Sequence, residues 1–239
     1  MQSALTLGIL MAPLAGALVA AHFGYAVAFV VSGACLWVSG AVVALGAPKP
    51  GGAGSGKKTR GEQSWRGLVF VCALVVIAYS QVLFLNSVMP HLLPALGVSP
   101  ERSLEFGGWL LFASGVAISL GALAAPFLSA RLGERRMIEL CLAGSSLTLI
   151  ALPSTLWGFV AVWLLHVLFV APILPAITAR LAQNNEGQSI AFVQSSRVAA
   201  NFLGPVIATT LLSVMSATGV FVALAVLGLA SIPLARRLT

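Results

Sequence analysis

The chain alternates long apolar stretches with short polar segments, and this pattern predicts membrane-spanning helices. Apolar runs of about 20 residues recur from end to end, each long enough to cross the roughly 30 Å of hydrocarbon in a bilayer. Eight spans are predicted, over residues 3–21, 25–46, 67–90, 106–128, 137–154, 157–179, 188–214 and 219–235. The length of the runs and their lack of strict alternation favour helices over a β-barrel. The predicted fold class is therefore an all-α integral membrane protein.

The polar segments divide the chain into three parts. The stretch AAHFGYA (20–26) is a predicted break between the first two spans, with Gly24 and His22 at a surface. Residues 47–66 are rich in Gly, Pro, Lys and Arg, which is typical of a flexible, solvated linker. The predicted parts are thus a two-span unit (1–46), a basic linker (47–66) and a six-span unit (67–239). Within the last unit, residues 90–106 are predicted to form a longer loop.

Composition supports the membrane assignment. Of the 239 residues, 59% are hydrophobic and 8% are charged, whereas a soluble domain carries about 25% charged residues. The net charge of +7 would suggest nucleic-acid binding in a soluble protein, but here the basic residues lie between apolar runs. We therefore expect them to orient the chain and contact anionic headgroups, with no nucleic-acid partner.

The distribution of basic residues predicts the orientation. If successive connections alternate between the two sides, one side carries eleven basic residues and the other only Arg102. The eleven are Lys49, Lys57, Lys58, Arg60, Arg66, Arg131, Arg135, Arg136, Arg180, Arg236 and Arg237. Basic loops stay in the cytoplasm. Both termini and the linker are therefore predicted to be cytoplasmic, in a cytoplasmic (inner) membrane.

The sequence gives no support for catalysis or for a bound cofactor. The three cysteines lie inside apolar runs, and no CxxC or Cys/His ligand spacing occurs. The chain contains no HExxH, GxSxG or P-loop motif, and no paired carboxylates inside a span. We expect no enzymatic activity, no metal and no cofactor.

Polar groups inside spans are the candidate functional residues, because burying them in lipid is costly. Gln194, Arg197 and Asn201 share one helix face. Arg197 lies about ten residues into its span, roughly 15 Å along the axis, so it is predicted to face a wet cavity or a partner. It would contact an anionic substrate or act as a gating charge. The alternative is an arginine that snorkels to the surface or bonds to backbone carbonyls at a helix end.

Two further spans carry candidates. His166 lies near the middle of its span, with Trp163 one turn away. A histidine titrates near neutral pH and is a candidate for proton coupling, while the alternative is a neutral histidine bonded to a neighbouring helix. Tyr79 and Asn86 share a face that would line a cavity or form interhelical hydrogen bonds. Pro172 and Pro175 are predicted to kink the span that contains His166.

An internal repeat links the first and seventh spans. With an offset of 192 residues, a small-xxx-small-Pro-xx-small pattern recurs. Small residues at this spacing let helices approach closely, and the proline removes a helix hydrogen bond. These positions are predicted packing hinges: Gly8, Ala12, Pro13 and Gly16 in the first copy, and Gly204 and Pro205 in the second.

The residues around this repeat resemble a known family. Gly8-xxx-Ala12-Pro13-xx-Gly16-Ala17 is similar to the GxxxGPxxGG motif in the fifth helix of antiporters of the major facilitator superfamily. SARLGERR (129–136) resembles the loop motif between helices eight and nine, and the basic linker resembles the central loop between two six-helix bundles. AQNNEGQSIAFVQSSRVAANFLGP (182–205) is similar to the segment leading into helix eleven of drug:proton antiporters.

The resemblance implies a secondary active transporter that works by alternating access. It implies proton-coupled efflux of drugs or small metabolites, with Tyr79, Asn86, Trp163, His166, Gln194, Arg197 and Asn201 as cavity candidates. Arg131, Gly133, Arg135 and Arg136 would form a cytoplasmic gate loop. The chain would correspond to helices five to twelve, with the first four missing. The alternative is a truncated, non-transporting subunit or gene remnant, and pairing with another chain would complete the cavity.

Overall fold

The computed structural model describes residues 15–46, 65–152, 154–183 and 187–236. All regular elements in these ranges are α-helices, which confirms the predicted all-α class. They are α1 (15–23), α2 (Tyr25–Gly46), α3 (Trp65–Leu83), α4 (Leu85–Ala95), α5 (Pro100–Leu132), α6 (Glu134–Ile150), α7 (Leu156–Val170), α8 (Ile173–Gln183), α9 (Gly187–Leu212) and α10 (Ala217–Arg236). The linker and the hinge positions Gly8, Ala12 and Pro13 lie outside the described residues.

The first predicted break is confirmed at Gly24. This residue separates α1 from α2 and has a φ of 84°, in the left-handed region that glycine adopts without steric cost. His22 beside it is exposed, and its Nδ1 lies 3.0 Å from the carbonyl oxygen of Leu18.

The predicted loop over 90–106 is mostly helical. α4 continues to Ala95 and α5 begins at Pro100, so the connection is only residues 96–99. Pro90 and Pro94 lie inside α4. α5 begins where sequence favours a helix start, because Ser99 is extended, Pro100 follows it and Glu101 lies in the first turn. Prolines suggested a loop, but tertiary packing of the adjacent Leu93 (1% exposed) and Met89 (7%) favours the helix.

The predicted kink at Pro172 is confirmed as a break between two helices. α7 ends at Val170 and α8 begins at Ile173. Gly121 of α5 packs against this break: a Cβ added to Gly121 would lie 2.5 Å from the Cβ of Ala171 and 3.0 Å from the carbonyl oxygen of Leu168. The missing side chain therefore lets α5 approach the broken helix closely.

Helices α3 to α10 form one bundle. α3 packs most extensively on α9, α6 on α10, and α7 on both α5 and α6. Two apolar clusters fill the interior: one includes Leu74, Leu142 and Ile173, and the other includes Phe84, Phe159 and Trp163. α2 is different, since none of the span Tyr25–Val42 is buried.

Four stretches in the described ranges are long and apolar enough to cross a membrane: Tyr25–Val42, Gly67–Ala95, Pro100–Leu132 and Leu156–Ala182. Ala217–Pro233 is a shorter apolar helix. α6 and α9 were also predicted as spans, and both are less uniformly apolar. α6 has 17 residues and buries Ser145, Ser146 and Thr148 within the bundle, and α9 exposes polar residues on one face. Helices that turn polar groups towards protein or water do not need a continuous apolar surface.

Candidate functional site

A shallow, open groove with both polar and apolar lining runs along one face of α9. Its volume is about 500 Å³, and it is lined by Gln194, Ser195, Arg197, Val198 and Asn201. Gln194, Arg197, Val198 and Asn201 are at i, i+3, i+4 and i+7, so the α-helical repeat brings these four to one side. Gln194 and Asn201 are exposed, and Arg197 is half-buried. The structure therefore brings together the three α9 residues that the sequence predicted to share a face.

Tyr79 of α3 holds the cation of this groove. The guanidinium carbon of Arg197 lies over the Tyr79 ring, 5.5 Å from its centroid. This is within the range of a cation–π interaction, which is strengthened where water is excluded. The contact joins α3 and α9, the pair of helices with the most extensive packing in the bundle.

Sequence reasoning missed two residues of the groove, Ser195 and Val198. Both lie between the predicted positions, and Val198 is one turn from Gln194 and from Asn201. Helical spacing was sufficient to find Val198, but its apolar side chain carries no cost inside a membrane and gave no signal. Ser195 is turned about 100° from Gln194 around the helix, so the spacing of the predicted face does not include it.

His166 and Trp163 lie in a second, fully packed environment. His166 of α7 is 0% exposed. Its Nδ1 is 2.9 Å from the carbonyl oxygen of Ser145 in α6, and its Nε2 is 3.2 Å from the carbonyl oxygen of Gln81 in α3. A neutral imidazole has one N–H and donates to one of these carbonyls at a time, whereas the imidazolium donates to both.

Gln81 extends this buried network to α10. Its side-chain Nε2 donates to the carbonyl oxygen of Leu224 at 2.9 Å, and Ser145 Oγ donates to its Oε1 at 3.4 Å. Sequence analysis did not select Gln81, although a polar residue in mid-span was a sufficient signal. Gly228 of α10 leaves the room for this side chain, because a Cβ there would collide with Gln81 and Ser146.

Trp163 joins α7 to α5. Its indole N–H donates to Ser114 Oγ at 3.0 Å, and its ring stacks with Phe159 at a centroid distance of 6.3 Å. Trp163 is 1% exposed and belongs to the apolar interior. The cavity candidates thus form two sets. Gln194, Arg197 and Asn201 lie at the groove with Tyr79 beside them, whereas His166 and Trp163 lie in the buried interior. Asn86 lies in α4, and its side chain is outside what the structure describes.

The second copy of the repeat packs α9 on α3. Gly204 is buried, and a Cβ added there would lie 3.4 Å from Leu83 Cβ and from Ser80 Cα. α9 remains helical through Pro205. In the first copy, Gly16 has no atom of another described segment within 4 Å of such a Cβ.

The predicted gate loop is a tight turn between α5 and α6. Gly133 has a φ of 77° and separates the two helices. Arg131, Arg135 and Arg136 are exposed, and Arg135 Nε lies 3.1 Å from Glu139 Oε1. Glu134 Oε1 is 4.0 Å from Arg180 Nη1 at the end of α8. Burial raises the pKa of the Glu134 carboxyl, and the nearby Arg180 partly offsets this effect.

Within the described ranges, no three His, Cys, Asp or Glu side chains are placed to hold a metal ion. A helical bundle with several helices long and apolar enough to cross a membrane has the architecture of a polytopic membrane protein. The family model of the Major Facilitator Superfamily matches residues 69–239, and the chain therefore belongs to this superfamily. A comparison with curated proteins gives no match.

Membership makes the chain a membrane transporter of the major facilitator kind. A lipid bilayer and a small-molecule substrate are the partners that this role requires. Members of the superfamily are transporters rather than enzymes. The match begins close to the start of α3 and includes α4 to α10, so it contains both the α9 groove and the His166 network.

Proposed function

We propose that the chain carries out proton-coupled export of a drug-like or metabolic small molecule by alternating access. The observation that carries this proposal is the polar face of α9, which exposes Gln194 and Asn201 and holds Arg197 on Tyr79. Lipid does not solvate such groups, so this face belongs on a water-filled path. In alternating access, that path opens first to one side of the membrane and then to the other.

The orientation that we propose puts the α5–α6 turn in the cytoplasm of a cell with this chain in its inner membrane. Three exposed arginines at this turn support this orientation. Arg180, in the last turn of α8, lies close to the same turn, because its Nη1 is 4.0 Å from Glu134 Oε1. Arg102, near the start of α5, would lie on the other side. Arg136→Cys and Arg102→Cys, in a chain without its native cysteines, are expected to react with an impermeant maleimide from opposite sides of the membrane. Reaction from the same side would contradict the orientation.

The proton-coupling part of the proposal rests on His166. Among the described residues it is the one buried side chain whose ordinary pKa lies near neutral pH. Both of its ring nitrogens face carbonyl oxygens on other helices. We expect His166→Gln to lose accumulation driven by a pH gradient but to keep exchange of labelled for unlabelled substrate. If this variant accumulates substrate fully under a pH gradient, a role of His166 in proton coupling is contradicted.

Closure of the groove requires a further wall. All the lining residues of the groove belong to α9, and none of the α2 span Tyr25–Val42 is buried against the bundle. We propose that helices of a second bundle or of another chain cover this side. Mass measurement of the chain in native nanodiscs tests the second source: a dimer is expected if another chain supplies the wall, and a monomer contradicts pairing.

Transport is tested in inside-out membrane vesicles that contain the full chain and are acidified inside. An exporter that exchanges protons for substrate is expected to accumulate a fluorescent solute in these vesicles until a protonophore is added. Two dyes of opposite charge are used, ethidium and carboxyfluorescein, and accumulation of either supports transport. If neither dye accumulates above vesicles without the chain, the proposed exporter is contradicted.

A matched pair of variants assigns this transport to the groove. Asn201→Leu makes the groove apolar at its end, and we expect it to reduce the initial rate. Thr210→Leu makes the same kind of change at an exposed position about two and a half turns along α9, on the opposite side of the helix. Thr210→Leu is expected to transport like the unaltered chain, and equal losses in both variants would contradict the role of the groove.

A further inference from the structure

The residues that line the groove include one cation and no carboxylate. Arg197 places a permanent cation on the face of α9. The six acidic residues of the chain are all glutamates, at positions 62, 101, 105, 134, 139 and 186, and those in the described ranges lie at helix ends or in turns. The two ion pairs in these ranges join Arg135 to Glu139 and Arg180 to Glu134. Among the described residues, therefore, no carboxylate neutralises Arg197.

The contact with Tyr79 orients this cation. An aromatic ring binds a guanidinium through the face of its planar group. The N–H groups lie at the edge of that plane, where they can form two parallel hydrogen bonds with the oxygens of one anion. The centroid distance of 5.5 Å places the guanidinium beside the Tyr79 ring, and its N–H groups are the hydrogen-bond donors that an anion in the groove would use.

The other polar side chains of the groove add donors for the same type of ligand. Gln194 and Asn201 contribute carboxamide N–H groups about one helical turn on each side of Arg197. Val198 contributes an apolar surface at the centre of the groove. All five lining residues belong to α9, so a ligand would lie along an open helix face.

We infer that the groove binds a small organic anion, with a carboxylate or sulfonate on Arg197 and an apolar body along Val198. This inference rests on the proposed transport function and narrows its substrate class. A lipophilic cation would meet Arg197 with like charge and find no carboxylate among the described residues of the groove. The ligand completes the charge balance that the described helices leave open.

The test measures transport and binding in parallel. Initial rates are recorded for carboxyfluorescein and for ethidium in the vesicles described above. Binding of benzoate and of naphthalene-sulfonate is measured as the rise in melting temperature of the purified full chain in nanodiscs. The unaltered chain is expected to transport carboxyfluorescein in preference to ethidium, and to be stabilised by both anions.

Variants of Arg197 and Tyr79, with a control at Arg102, identify the residues. Arg197→Gln is expected to weaken anion binding by roughly ten- to hundredfold, because it removes hydrogen bonds to a charged group. Arg197→Lys keeps the charge but not the paired donors, so its loss is smaller. Tyr79→Leu removes the ring beside the guanidinium and is expected to weaken anion binding. Arg102→Gln, at an exposed position outside the groove, is the charge-matched control and is expected to change nothing.

The outcomes separate this inference from the proposed function. Accumulation of ethidium alone, or anion binding that is the same in Arg197→Gln as in the unaltered chain, overturns the inference and leaves transport intact. Failure of both dyes with anion binding that depends on Arg197 contradicts the export function and supports the anion site. If Arg197→Gln does not fold, as judged by size exclusion, Arg197→Lys is used in its place. Anion binding that is the same in Arg197→Lys as in the unaltered chain would contradict paired hydrogen bonds from Arg197 to the ligand.

Discussion

Arg197 and His166 illustrate two ways in which a membrane protein accommodates a costly polar side chain. Arg197 remains half-buried in an open groove, with its charge supported by the Tyr79 ring. His166 is fully buried, and backbone carbonyl oxygens of α3 and α6 face its two nitrogens. The first arrangement suits an exchangeable ligand, whereas the second connects three helices inside the bundle.

The His166 contacts predict a measurable contribution to stability. His166→Leu removes the imidazole N–H that donates to one of the Ser145 and Gln81 carbonyls, at a position that is fully buried. We expect a loss of about 1–3 kcal/mol, seen as a lower melting temperature of the purified protein. His91→Leu, at an exposed histidine in α4, is the control and is expected to have little effect. A melting temperature unchanged by His166→Leu would contradict the structural role of these hydrogen bonds.

The pattern of polar residues allowed part of the site to be predicted. Gln194, Arg197 and Asn201 were found together because helical spacing alone determines that they share a face. The same spacing gave no information on what faces Tyr79 or His166, since those contacts join residues that are far apart in the chain. Arg197 and Tyr79 meet only through the packing of α9 on α3, and His166 meets Gln81 only through the packing of α7 on α3.

At the scale of the helices, small residues determine where elements approach and where they break. Gly121 admits Ala171 at the α7–α8 break, Gly204 packs on Ser80, and Gly228 leaves room for Gln81. The break at Pro172 was predicted, because proline cannot continue the hydrogen-bond ladder. The helical path through Pro90 and Pro94 was not, because burial of neighbouring residues outweighs the local cost of proline.

The close approach at Gly121 predicts opposite effects for the same substitution at two glycines. Gly121→Ala places a methyl group against Ala171, and overpacking of this kind costs roughly 1–3 kcal/mol. Gly40→Ala, in α2, meets no atom of another described segment within 4 Å and is expected to leave stability equal or slightly higher. Thermal unfolding of the two variants in the same detergent is the measurement. A Gly121→Ala variant at least as stable as Gly40→Ala would contradict the α5–α7 packing.

The α5–α6 turn predicts a pH dependence of stability. Burial raises the pKa of Glu134, so the folded state binds its proton more tightly than the unfolded state does. The stability from this group is therefore fully present at low pH and is lost as the pH rises through its raised pKa. We expect Glu134→Gln to flatten the decrease in melting temperature over this acidic range. Glu101→Gln, at an exposed carboxyl in the first turn of α5, is the control, and equal pH profiles for all three proteins would contradict the burial of Glu134.

For the molecule as a whole, apolar runs predicted the fold class, and the family match supports the transporter function. Eight runs and the asymmetry of basic residues were sufficient to predict a helical membrane protein, and the superfamily match to residues 69–239 confirms a major facilitator transporter. Hydrophobicity predicts that a helix enters the bilayer but not which of its faces meets lipid. That distinction appears only when α9 packs on α3 and leaves its polar side open.

The central claim is that water, rather than lipid, occupies the α9 groove, and cysteine accessibility tests it most directly. Asn201→Cys and Leu120→Cys are compared in intact membranes, in a chain whose native cysteines are replaced. Leu120 is 56% exposed near the middle of α5, on an apolar surface. A charged, water-soluble thiosulfonate is predicted to modify Asn201→Cys rapidly and Leu120→Cys hardly at all. Equal protection of both cysteines would contradict a solvated groove and the transport path built on it.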